Sequence, residues 1–119
     1  MFDAEALRRH CLNQKAAVEE FPFGPEARVF KVMGKMFALI PVEANPPSIS
    51  LKCDPLLAQA LRETYEAIQP AYHMNKKHWN MVIMDGTVSD DEVREMIDAS
   101  YDLVVSGLTR KDRDTLEKK

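Results

Sequence analysis

Basic, aromatic and amide side chains crowd into one stretch of the sequence, residues 69–86. Lys76 and Lys77 are flanked by His73 and His78, with Tyr72 and Trp79 outside them and Asn75 and Asn80 adding amide groups. Two adjacent ammonium groups can hold an anion as point charges, and amides can hydrogen-bond phosphate or base edges. The flat faces of Tyr72 and Trp79 would add base stacking, worth roughly 1–3 kcal/mol per base. The candidate nucleic-acid or anion site is therefore Tyr72, His73, Asn75, Lys76, Lys77, His78 and Trp79, joined by Lys52 from an earlier strand. A plainer reading stands beside this one. Residues 79–84 are almost wholly apolar and have the length of a buried strand, so Trp79 also suits a core position. A lysine pair leading into a strand also suits a solvated turn.

Other chemistry is poorly represented. His73 and His78 are five residues apart, a spacing that places them on neither one helix face nor one strand face. They would act as a general base or as metal ligands only with partners brought in by folding, which leaves a small-anion pocket or an enzyme as a third reading. The chain has four well-separated glycines and neither a phosphate-cradling loop nor a Gly-x-Ser-x-Gly elbow. Asp85, Asp90, Asp91 and Glu92 lack the spacing of a calcium loop; helix capping accounts for them better. Cys11 and Cys53 lack CxxC spacing and read as free thiols. The expectation is a protein with no catalytic motif, no cofactor and no metal.

The bulk composition bounds the partners. A chain of 119 residues fits one domain with one core, and a net charge of −3 excludes a globally basic nucleic-acid binder. The charge is uneven: residues 1–27 carry 3 basic and 5 acidic groups, residues 28–79 carry 7 and 4, and residues 80–119 carry 6 and 10. The positive part is the middle, at a modest +3 (7 minus 4). The sequence begins Met-Phe-Asp-Ala-Glu, with no signal-peptide pattern, and its apolar runs are too short to span a bilayer, so a cytoplasmic, non-membrane protein is expected.

The elements that must carry these residues follow from pattern. Asp3 caps a first helix to about residue 13, with Leu7 and Cys11 one turn apart. Residues 14–27 read as a connection stiffened by Pro22, Gly24 and Pro25. Residues 28–33 and 35–42 read as strands joined by a turn at Gly34. In the second, Met36, Ala38 and Ile40 share one face by alternation, and Phe37 and Leu39 the other. Both faces are apolar, which suits a strand covered on both sides or a sheet face used in self-association. Residues 48–53 alternate, with Ile49, Leu51 and Cys53 inward and Ser48, Ser50 and Lys52 outward. Asp54-Pro55 starts a helix whose stripe of Leu57, Leu61, Thr64 and Ile68 runs towards Pro70. Tyr72 and His73 read as the start of a short strand, and residues 79–84 as the last strand. Ser89 and Glu92 form a capping box ahead of a helix marked by Val93, Met96, Ile97, Tyr101, Val104 and Leu108. Residues 1–108 make one domain, and residues 109–119, with Leu116 their one apolar residue, a polar tail, either a frayed helix or disordered.

With these elements in place, the run Pro70-Ala71-Tyr72-His73-Met74-Asn75-Lys76-Lys77-His78-Trp79-Asn80 closely resembles the signature of the bacterial YjbR/MmcQ family. Phe21-Pro22-Phe23-Gly24 with Val29-Phe30-Lys31-Val32, Gly34-Lys35-Met36-Phe37-Ala38, Ser50-Leu51-Lys52-Cys53-Asp54-Pro55, Leu61-Arg62 and Ser100-Tyr101-Asp102-Leu103-Val104 follow the family in the same order. The resemblance covers roughly residues 2–108. Ala71 departs from it, standing where the family commonly has glycine. The resemblance implies an α+β two-layer sandwich: an antiparallel sheet of about five strands with helices, in the order α-β-β-β-α-β-β-α. Its layering is similar to that of type III secretion chaperones and, more distantly, of frataxin-like domains. The family is often labelled DNA-binding, on a proposed double-wing shape.

The expected function is accordingly DNA binding through the basic-aromatic surface Lys52, Tyr72, His73, Asn75, Lys76, Lys77, His78 and Trp79. The alternative is a protein-interaction module, self-associating or binding another protein, that uses apolar surface such as Phe21, Phe23, Phe37 and Leu39 and has no nucleic-acid role.

Overall fold

The computed structural model describes residues 3–71 and 74–119. Their order is α1 (Ala4–Leu12), β1 (Ala17–Glu20), β2 (Ala27–Val32), β3 (Lys35–Pro41), β4 (Ser48–Lys52), α2 (Pro55–Thr64), β5 (Ile68–Pro70), β6 (Trp79–Ile83), α3 (Asp90–Ser106) and α4 (Arg110–Glu117). The strands form one open antiparallel sheet in the order β1-β2-β3-β4-β6-β5. The helices flank it, close to the expected α-β-β-β-α-β-β-α order. Among the described residues, no helix is long and apolar enough to cross a membrane.

Each helix starts on a side-chain cap, and those of α1, α2 and α3 are visible in the sequence alone. Asp3, Asp54, Ser89 and Thr109 accept backbone N–H bonds at the starts of α1, α2, α3 and α4, satisfying donors that the first turn leaves free. The β2–β3 turn uses left-handed backbone at Met33 (φ 49°) and Gly34 (φ 80°), the pattern whose twist matches the strands it joins. Glycine is the natural residue at the second of these positions.

The core lies between the sheet and the helices. Phe30, Val32, Ala38, Ile40, Ile49, Leu51, Ile68 and Val82 from the strands meet Leu7 and Cys11 of α1 and Val93, Ile97, Tyr101 and Val104 of α3. A register shift between Phe30 and Lys31 overturns the strict alternation expected in β3. The extra residue is accommodated at Phe37, opposite the shift, and such a bulge re-aims side chains. Phe37 joins Ala38 and Ile40 in the core, its ring meeting that of Tyr101 edge-on at 5.4 Å between centroids. Met36 instead joins Leu39 on the other side of the sheet.

Ser100 closes the seam that the bulge opens. The β3–β4 ladder is short, with Ala38 opposite Leu51 and Leu39 opposite Ser50. Beyond it, the fully buried Ser100 hydroxyl donates to the Phe37 carbonyl (2.6 Å) and accepts from the Lys52 N–H (2.9 Å). One side chain of α3 thus supplies the missing rung between the two strands.

Four expectations change in the structure. Residues 14–27, expected as a connection, contain β1, which pairs with β2 from Ala17 opposite Val32 to Glu20 opposite Val29. Its four residues carry too little apolar pattern to stand out. The helix expected to run towards Pro70 ends at Thr64, whose hydroxyl donates to Ala60 O (2.8 Å). Ile68 lies instead in β5, opposite Val82. Ser50 does face away from the core, lining the open face between Leu39 and Met81, but it and Ser48, expected to be exposed there, are only 7% exposed. Residues 109–119, expected as a frayed helix or a disordered tail, hold a formed helix, α4, whose Leu116 is buried in the core.

β1 is tied down electrostatically. Glu19 accepts from Arg8 Nε of α1 (2.8 Å) and from Arg28 Nη1 of β2 (3.4 Å). The Arg8 hydrogen bond, more than any other contact, holds the Glu19 carboxyl below its ordinary value of 4.5, against the opposing effect of burial. The folded state therefore binds this proton more weakly than the unfolded chain. The stabilisation is complete above the ordinary value and is lost as pH falls through the depressed folded value. Glu19→Gln is expected to lower stability near neutral pH and to flatten its decline on acidification, read from urea midpoints across the acid range. A variant whose acid decline is as steep as that of the parent would remove Glu19 from this role.

Candidate functional site

The candidate residues are positioned by the turn that enters β6. Asn75 organises it: its Oδ1 accepts from Lys77 N (2.9 Å), and its carbonyl accepts from His78 N (3.1 Å) and Trp79 N (3.0 Å). This is an Asx turn, which an asparagine side chain stabilises by mimicking backbone. It leaves Lys76 and Lys77 exposed. On the other side, the His78 carbonyl accepts from Cys53 N (2.7 Å), so the turn is bound to the end of β4. The ladder then places Lys52 opposite Trp79, on the same face of the sheet.

Arg62, absent from the sequence-derived set, completes this end of the molecule. From the last turn of α2 its Nη1 donates to the Lys76 carbonyl (2.9 Å). A cation at a helix C-terminus is a common pattern, and only the fold shows that this helix end abuts the lysine turn. Lys52, Arg62, Lys76, Lys77 and His78 therefore gather from three segments at one end of the sheet. Lys52, Arg62 and Lys77 enter no ion pair among the described residues. The Asp54 carboxylate near Lys52 is engaged by Leu56 N and Leu57 N.

The aromatic part of the candidate set is arranged differently. Trp79 is 9% exposed, so it forms a wall and does not present an open face for stacking. Asn80 is buried, its Nδ2 donating to Ala58 O of α2 (3.2 Å), which ties helix to sheet. Tyr72 and His73, and with them the short strand expected there, lie outside the described residues.

Beside the basic end runs a groove of about 670 Å³ on the sheet face away from the core. Met36 and Leu39 of β3, Met81 and Trp79 of β6, Asn75 of the lysine turn and Phe23 of the β1–β2 connection are among its lining residues. The groove is apolar, and the lysine turn stands at one margin. Phe23 is 67% exposed and Phe21 45%, the latter with the Arg28 guanidinium 5.9 Å from its ring centroid. Phe37, expected to join such an apolar surface, is fully buried on the opposite side of the sheet.

No group of three or more histidine, cysteine or acidic side chains is placed to hold a metal ion among the described residues. Burial pushes the Cys11 thiol up to about 12, and burial also raises Cys53. Thiols shifted in that direction are poor nucleophiles near neutral pH.

Comparison with known proteins places this arrangement. The family model described as YjbR matches residues 12–103. A protein of Escherichia coli O157:H7 called YbdF, described as uncharacterised, is 43% identical over 93 residues, covering 78% of this chain and 76% of that one. The protein YjbR of Escherichia coli strain K12, also described as uncharacterised, is 33% identical over 110 residues, covering 92% and 93%. A crystal structure of a Deinococcus radiodurans protein with a DUF419 domain superposes with a TM-score of 0.92 at 38% identity, over 98% of this chain and 89% of that one. A Pseudomonas syringae protein superposes with a TM-score of 0.74 at 26% identity, over 86% and 98%.

Proposed function

This chain belongs to the YjbR family, and from that premise we propose that it acts by binding rather than by catalysis, taking up nucleic acid at the basic end of the open sheet face. The observation that carries this reading is the gathering of Lys52, Arg62, Lys76 and Lys77 around one backbone junction, where His78 O meets Cys53 N and Arg62 meets Lys76 O. Phosphates would meet these cations, and Asn75 would offer hydrogen bonds at the margin of the groove.

The groove favours a single strand over a duplex. An unpaired base can settle against Met36, Leu39, Met81 and the wall formed by Trp79, while a duplex keeps its bases stacked and meets only the lysine rim. Trp79 thus contributes shape to the site in place of the open stacking face that its residue type suggests. A cytoplasmic site of action is part of the same reading, supported by two free cysteines in a chain of this size.

The test is a titration of labelled single-stranded and duplex oligonucleotides. If three or four phosphates are engaged, affinity for the single strand falls roughly 20- to 50-fold between 50 mM and 200 mM salt. The paired reversal Lys52→Glu with Lys77→Glu is expected to cost at least about tenfold in affinity and to flatten that salt dependence. Reversal of Lys111 on α4 and of Lys118 at its C-cap leaves both unchanged. A flat titration at low salt would remove the proposal.

The exposed Phe23 at the groove edge favours a second reading, in which the same face docks a protein, a second copy included. Light scattering at increasing concentration distinguishes the two. A dimer that Phe23→Ser dissolves supports the second reading, and a monomer that binds oligonucleotide supports the first.

A further inference from the structure

A separate cavity of about 210 Å³ lies on the helix side of the sheet, between α2, α3 and strands β4 and β6. Leu51 and Val82 form its floor, Leu57 and Leu61 of α2 one wall, and Met96 and Leu103 of α3 the other. It exceeds the roughly 150 Å³ of an engineered apolar cavity that stays dry and binds benzene. Its lining is predominantly hydrocarbon; Asn80 sits in the floor, and Lys52, Cys53 and Asp54 line it at the junction of β4 and α2.

Asn80 is 3% exposed, and its side chain is only half satisfied. Nδ2 donates to Ala58 O, which fixes the amide orientation, because the flipped amide would set one oxygen against another. Oδ1 is buried and accepts from no donor. A buried acceptor left unpaired costs about 1–3 kcal/mol, and native structures seldom tolerate that without a use. The Oδ1 is screened from solvent, but the side chains around it can yield. Leu57 is half exposed, and Met96 is an adaptable thioether.

We propose that this cavity takes a small, largely apolar molecule carrying a single N–H or O–H donor, with the donor going to Asn80 Oδ1 as Leu57 and Met96 move aside. The volume suits one or two fused rings. The hydrocarbon lining disfavours a charged ligand, because burying an unpaired charge there is costly. The unpaired, buried acceptor selects for a donor in the manner of sites that reject analogues lacking it. This site is on the opposite face of the sheet from the groove; it shares only Lys52, at its edge, with the basic end, and its probes read it apart from nucleic-acid binding.

Indole and its isostere indene, which lacks the N–H, are suitable probes for the full chain in solution. Indole is expected to shift the Met96 methyl and the Asn80 side-chain amide resonances saturably, and to bind at least about tenfold more tightly than indene. Ala99→Phe fills the cavity from an exposed position on α3 and is expected to abolish those shifts while the remaining spectrum stays folded. Asn80→Leu is expected to equalise the two probes. Absence of any saturable shift at millimolar indole overturns the proposal, since a trapped water would then account for the orphan oxygen. Equal affinity for indole and indene in the parent, or binding that survives Ala99→Phe, overturns it as well.

Discussion

Ser100→Ala is expected to destabilise the fold by about 2–4 kcal/mol, a large loss for the removal of one oxygen atom. The alanine leaves almost no cavity, so the transfer and packing terms are small. The cost comes from the two partners left behind. Phe37 O and Lys52 N–H both face the seam between β3 and β4, and both depend on this hydroxyl. Each buried polar group without a partner costs about 1–3 kcal/mol. Urea midpoints measure the loss, and amide exchange locates it: the Lys52 N–H should exchange much faster in the variant while the β4–β6 ladder stays protected. A loss below about 1 kcal/mol would mean that the strands close the seam unaided.

Phe37→Ala carries the largest expected penalty, about 3–5 kcal/mol. The ring is fully buried and meets Tyr101 edge-on, a contact worth about 0.5–1.5 kcal/mol beyond its area. The site is also poorly placed to collapse, since the ring projects from a bulge whose backbone is held by Ser100. Tyr101 is itself fixed at its far end, where its hydroxyl donates to Lys15 O (2.6 Å). Phe37→Leu should recover much of the stability but not the aromatic contact. A Phe37→Ala variant as stable as the parent would put the ring on the open face, where simple alternation along β3 had assigned it.

That assignment illustrates what the chain makes legible and what it hides. The caps at Asp3, Asp54 and Ser89 are local, so the starts of α1, α2 and α3 can be read directly, and so can the left-handed turn at Gly34. A bulge is decided between strands, and nothing within residues 35–41 announces that Phe37 and Ala38 both turn inward. Ile68 continued a helical stripe by spacing, yet it pairs with Val82 in a strand, a tertiary outcome that overrides local periodicity. Leu116 reads as one apolar residue among charges, and only its place in the core explains α4.

The candidate site divides in the same way. The lysine turn was legible because Asn75 builds it from neighbouring backbone. Trp79 was ambiguous by type, since a tryptophan at a strand start suits a binding face or a wall equally. Arg62 was invisible because its importance lies in a contact with Lys76 O, fourteen positions along the chain.

The sheet has two margins, and each resists extension. β5 ends on Pro70, which has no N–H to offer an incoming strand, and β1 lines the other margin with Glu19 and Glu20. Strand-by-strand growth into a fibril therefore lacks a template at either side.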